Sequence, residues 1–140
     1  MQYTYVLPQL PSLRRWRRLF TDFKGNSEIR VLEYELLGKQ KMAGRFLDVG
    51  GGSKSRTRKY LPDGLDPDSV NIDPAIEPTH LIAPGDPFPM AANLYDGAVC
   101  LNTLEHVYDA KGILSETQRV LNPGGTLYIT VPFMFRIHAH

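Results

Sequence analysis

The 140-residue sequence contains a single cysteine, Cys100, so no disulfide can form within the chain. That scarcity suits a reducing compartment, and a cytoplasmic location is expected. Long hydrophobic runs are also missing. No segment approaches the roughly 18 apolar residues of a membrane span, so no transmembrane segment is expected. Pro8, Pro11 and four arginines break up the first twenty residues, which lack the apolar stretch of a secretory signal. The four histidines have no zinc-finger spacing, and the pair His138 and His140 is too thin a ligand set to imply a metal. There is no internal repeat and no low-complexity tract.

Each half of the chain is poor in one sign of charge. Residues 61–140 hold 3 Lys and Arg against 10 Asp and Glu, residues 1–60 hold 13 against 5, and the whole carries +1. A basic amino-terminal region can steer an anionic substrate, a membrane surface or nucleic acid. It can equally be a solvated helix face that complements the acidic remainder of the same chain.

What is present reads as one soluble domain, with 42% hydrophobic and 22% charged residues. Residues 1–11 look like an irregular arm. From Ser12 the helical spacing places Leu13, Trp16 and Phe20 on one face, with Arg14, Arg15, Arg17 and Arg18 around the rest. Asn26 or Ser27 can cap a second helix that buries Ile29, Leu32 and Leu36. After Gly44 the texture changes. RFLDVGGG reads as a buried strand entering a tight turn, and residues 53–61 as helical until Pro62. SVNID at 69–73, HLIA at 80–83 and YDGAVCLN at 95–102 are the next strands, with a loop over 84–93. Asp109 can cap a helix with Ile113, Leu114, Thr117, Val120 and Leu121 on one face. Pro123, Gly124 and Gly125 end it, and a fifth strand follows at 126–133. Strands alternating with helices or long crossovers predict an α/β fold, a doubly wound parallel sheet with helices on both faces.

The segment Asp48-Val49-Gly50-Gly51-Gly52-Ser53 carries the chemistry. A glycine turn between strand and helix lets a ligand approach the backbone, at the sheet edge where open α/β folds bind ligands. Asp73 follows at the end of the next strand, 23 residues after Gly50, where a carboxylate can accept hydrogen bonds from both ribose hydroxyls of a nucleoside. A dinucleotide fingerprint would need a glycine at Ser55. A phosphate-binding loop would need Gly-Lys-Ser/Thr, and the chain offers Gly52-Ser53-Lys54-Ser55. Neither fits.

RFLDVGGGSK, VNID, YDGAVCLNTLEHV and RVLNPGGTLYITVP resemble, in order and spacing, the successive motifs of class I S-adenosylmethionine-dependent methyltransferases of the small-molecule type. The resemblance covers residues 44–136. It implies a Rossmann-like sheet of order 3-2-1-4-5 over 44–140, preceded by an arm and helices over 1–43. It implies S-adenosylmethionine as cofactor, with Asp48, Gly50, Gly51 and Gly52 at its methionine end, Asp73 at the ribose and Asn102 beside it. The family's third turn glycine is Lys54 here. The acid expected after the third strand has only Asp86 as a candidate.

Methyl transfer from a sulfonium is an in-line displacement, and a base is needed only for a protonated nucleophile. His106, in the segment Leu104-Glu105-His106, is the candidate base against a plain structural role, and Glu105 is the weaker one. Cys100 reads as a small core residue, and Trp16, Tyr3 and Tyr5 as ordinary packing residues or a lid. The expected acceptor is a small molecule or a glycan or lipid intermediate. The alternatives are a non-catalytic cofactor-binding partner module and, through the arginine cluster, a nucleic-acid methyltransferase. The fourth strand lacks the Asn/Asp-Pro-Pro-Tyr/Phe signature of the latter, so a nucleic-acid partner is not expected. Family members add two further strands, so the resemblance implies a shortened chain, with pairing of copies through the fifth-strand edge and weak turnover alone.

Overall fold

A computed structural model of the chain describes residues 12–22 and 24–131. The expected arm, Tyr3 and Tyr5, residues 132 and 133 of the fifth strand, Arg136, and the pair His138 and His140 lie outside the described residues. The chain divides into two compact units, Met1–Leu36 and Leu37–His140.

The second unit is built on one parallel sheet. Its strands are β1 (Phe46–Val49), β2 (Asp68–Asn71), β3 (His80–Leu81), β4 (Tyr95–Leu101) and β5 (Leu121–Thr130), in the order β3-β2-β1-β4-β5. Alternation along the strands feeds two apolar clusters. Leu47, Val49, Val70, Ala98 and Cys100 join Tyr95 and Val120 in one, while Phe46, Val99 and Leu101 join Leu37 and Leu61 in the other. Burial on both faces fits the apolar content of β1 and β4, interrupted only by the buried Asp48 and by Asp96-Gly97 at the start of β4. The helix α3 (Ala110–Val120) begins where expected, with Asp109 accepting from the Gly112 amide at 2.8 Å, and it buries Thr117 and Val120.

The amino ends of β1, β2 and β4 are clamped by one buried aromatic. The Tyr95 hydroxyl donates to Asp68 Oδ2 at 3.0 Å, Arg45 Nη2 donates to the same oxygen at 2.7 Å, and the guanidinium lies 5.1 Å from the Tyr95 ring centre. Burial, reinforced by Asp68, pushes the Tyr95 phenol up to about 12, so it remains a donor. Tyr95→Phe is expected to cost about 1–2 kcal/mol in urea unfolding, because it removes a hydrogen bond to a charged acceptor. An unchanged midpoint would reduce the clamp to ring packing.

Three local expectations are corrected. Residues 53–61 form no helix beyond one 3-10 turn at Arg58–Tyr60. Their leading amides bond elsewhere: Ser53 and Lys54 donate to the carbonyls of Glu77 and Ile76, both at 3.1 Å. Secondly, β5 starts at Leu121 rather than 126. Leu121 already pairs with Tyr95, and the next pair is Gly97 with Thr126, so Pro123-Gly124-Gly125 forms a bulge inside the strand. Gly124, at φ +83°, supplies the left-handed residue that bulge requires.

The third correction lies in the first unit, where α2 (Glu28–Leu37) turns a different face inward from that expected and α1 (Leu13–Asp22) buries Leu19. Leu19, Val31, Tyr34 and Glu35 are buried, whereas Leu13, Phe20, Ile29 and Leu36 are exposed. An ion pair accompanies this rotation. Arg15 Nη2 meets Glu35 Oε2 at 2.5 Å with both side chains largely buried, and Arg18 approaches Glu35 at 3.6 Å. Part of the arginine cluster is therefore neutralised by Glu35, within the basic half of the chain itself.

Candidate cofactor site

Parallel pairing puts the carboxyl ends of β1, β2 and β4 on one edge, and the three turns that leave them are tied together there. Gly50 donates to the Val70 carbonyl at 2.9 Å, and Asn71 Nδ2 donates to the Gly50 carbonyl at 2.5 Å. From the other side, Thr103 Oγ1 donates to the Val49 carbonyl at 3.2 Å. Asn71 and Thr103 were not singled out in the sequence. An Asn ending a strand, one residue before the Ile-Asp step, was the available signal for Asn71, and nothing local marked Thr103.

The glycines are required by the protein itself. Gly50 has φ +87°, and a Cβ there would run into the Thr103 side chain. One on Gly51 would overlap the Asp48 carboxyl, and one on Gly52 the Ile76 carbonyl. The turn is thus a bare backbone surface wedged between neighbours, with no side chain of its own before Ser53.

Asp48 lies behind this surface, 2% exposed, and its Oδ2 is buried without a hydrogen-bond partner. Burial pushes the carboxyl up to about 7, opposed by the charge of Arg58. Asp73 behaves differently. It is exposed, its amide donates to Asn71 Oδ1 at 3.0 Å, and its Oδ1 accepts from the Ala75 amide at 2.9 Å. The same Asn71 therefore holds both the glycine turn and the Asp73 backbone. Lys54, at the family's third glycine position, points to Glu77, with Nζ 2.6 Å from Oε1. That contact and a hydrogen bond from Ser53 hold the Glu77 carboxyl below its usual range.

The remaining candidates are less engaged with the turn. Asn102, at φ +52°, donates its amide to the Thr130 carbonyl at 2.9 Å and Nδ2 to Thr130 Oγ1 at 3.3 Å, which turns it toward β5. Asp86 accepts from the Ala83 amide at 3.2 Å within the loop after β3, and no contact brings it to Asp48, Asp73 or the glycines. His106 ends a 3-10 turn at Leu104–His106, with Nε2 3.8 Å from Glu105 Oε1 and its side chain largely exposed. Cys100 is a core residue as expected, and burial pushes its thiol up to about 12.

This arrangement suits a nucleoside carrying a cationic group. A bare glycine turn admits the ligand, an exposed carboxylate at the second strand can take hydroxyls, and an orphaned buried carboxylate lies behind the turn. The sheet order defines a doubly wound parallel α/β domain. Residues 12–138 match the model of the family described as methyltransferase domain, and the chain belongs to that family. No curated protein sequence matches the chain.

Three of the solved structures that share the fold illustrate the likeness. An S-adenosylmethionine-dependent methyltransferase from Thermotoga maritima is 17% identical, with TM-score 0.57 over 84% of this chain and 56% of its own. The cyclase SpnF is 18% identical, with TM-score 0.59 over 71% and 44%. The methyltransferase CalH, in complex with S-adenosylhomocysteine, is 18% identical, with TM-score 0.51 over 73% and 35%. The chain thus spans about half the length, or less, of these structures. Among the described residues no helix is long and apolar enough to cross a membrane.

Proposed function

We propose that the chain binds S-adenosylmethionine and transfers its methyl group to a small molecule or to a glycan or lipid intermediate. The observation that carries this reading is the coupling of Gly50 and the Asp73 backbone through Asn71, which keeps an exposed acidic residue, suited to a ribose, close to a bare turn. The bound cofactor supplies the electrophilic methyl group on its sulfonium. The chain's own part is placement. Asp73 holds the ribose, Gly50–Gly52 leave room along the backbone, and Asp48 contributes negative charge behind the turn. His106 stands at the β4 end as the group that would take a proton from a hydroxyl or amine acceptor. Asn102 and Asp86 complete the proposed cofactor contacts. The single, buried Cys100 favours a cytoplasmic setting, and β5, which pairs only with β4 among the described residues, offers an edge to a second copy.

Calorimetry with S-adenosylmethionine and its demethylated product tests the reading. Asp73→Ala is expected to weaken binding about ten- to hundredfold, with Asp73→Asn between it and wild type. Wild-type affinity in a folded Asp73→Ala protein would remove the ribose assignment. Lys54→Gly should leave affinity within about threefold, because an exposed ion pair contributes little. His106→Ala is expected to lower turnover about 10²–10⁴-fold with affinity unchanged if His106 is the base. Parallel losses of stability and binding would make it structural. The fold also houses the cyclase SpnF, so cofactor binding without any transfer across an acceptor panel would favour the non-catalytic module.

A further inference from the structure

The apolar face of α1 is on the surface. Leu13 is 91% exposed and Phe20 44%, while Leu19 is 1% exposed. Trp16 is partly exposed and stacks on Phe20 with ring centres 5.6 Å apart. At 3.6 residues per turn, Leu13, Trp16 and Phe20 form one continuous stripe with Arg17 beside it and Arg14 farther round on the same side, while Arg18 lies on the opposite side near Asp22. Arg14 and Arg17 are exposed, and the Arg18 side chain is 63% exposed. The only acid on the helix, Asp22, falls half a turn away from Leu13.

We propose that this face of α1 docks on an anionic lipid surface. Leu, Trp and Phe in one stripe, with arginines along one side, is the composition of a helix that lies in the membrane interface. Trp and Phe rings gain from the headgroup–acyl boundary, and the arginines meet anionic headgroups at the depth where their stems emerge. A nucleic-acid backbone would engage the arginines but leave Leu13 and Phe20 in water. Two copies meeting face to face would press two cationic rims together. The inference stands on α1 alone and is independent of the methyl-transfer reading.

Trp16 is the only tryptophan in the chain, so its fluorescence reports on this helix directly. With the full chain and vesicles of mixed phosphatidylglycerol and phosphatidylcholine, Trp16 emission is expected to shift to the blue and the protein to co-sediment. Pure phosphatidylcholine should produce neither. Arg14→Glu with Arg17→Glu should weaken vesicle binding at least about tenfold, because each arginine contributes about fivefold and reversal adds repulsion. Leu13→Ser with Phe20→Ser should abolish the blue shift, with circular dichroism confirming that the fold persists. Three results would each overturn the proposal: unshifted Trp16 emission on anionic vesicles, an equal shift with RNA, or a dimer whose Trp16 is already shielded without lipid.

Discussion

Gly50→Val is expected to destabilise the protein by about 3–5 kcal/mol, a large share of the total stability of a small domain. Two costs add. A β-branched residue at φ +87° carries a backbone penalty of about 2 kcal/mol or more. Its side chain must also displace Thr103, and overpacking of that kind costs about 1–3 kcal/mol. The two are separable. In a Thr103→Ala background the crowding eases but the backbone penalty stays, so Gly50→Val should recover only part of its loss in urea unfolding. Full recovery would show that the backbone angle is free to change. Loss of cofactor binding in Gly50→Val therefore reports a broken turn as much as a blocked ligand. A cofactor clash shows itself only where the variant still folds.

That distinction marks where the sequence was readable. The strands β1 and β4 are short apolar runs buried on both faces, and α3 starts at a capping aspartate, so each carries a local signal. The glycine turn and Asp73 were equally plain, since residue type alone says that a backbone is bare or a carboxylate available. The clasp around the turn was not. Asn71 reaches back 21 residues to Gly50 and Thr103 reaches 54 to Val49, and neither bond follows from periodicity. The helix faces failed for a related reason. Leu19 and Phe20 are adjacent, and the one that turns inward, Leu19, comes with Arg15 paired to Glu35, 20 residues on. Residues 53–61 have helical composition, yet the amides of Ser53 and Lys54 go to the turn after β2 and that of Thr57 goes to the Ser55 side chain.

Stability is expected to fall as pH rises from about 4 to about 7, through Asp48. Its carboxyl has an ordinary value near 3.9 in the unfolded chain and about 7 in the folded one. The folded state therefore binds a proton that the unfolded state has released across that window. A group with a raised folded value stabilises fully below the unfolded value, and that contribution is lost as pH rises through the folded value. Three units correspond to about 4 kcal/mol as an upper limit. Asp48→Asn should flatten this part of the pH profile, and the difference between the two proteins isolates Asp48 from every other titrating group. A wild-type profile parallel to that of Asp48→Asn would show the carboxyl to be ionised throughout. Cofactor binding should couple to the same proton. S-adenosylmethionine brings a sulfonium and an ammonium toward the turn, and a nearby positive charge favours the carboxylate. Binding below pH 7 then releases up to one proton, and affinity should weaken up to tenfold for each unit of acidification toward pH 5.5. Calorimetry at pH 6 in two buffers of different ionisation heat measures that proton directly. Its absence in Asp48→Asn, with its presence in wild type, would place the negative charge behind the glycine turn among the groups that hold the cofactor.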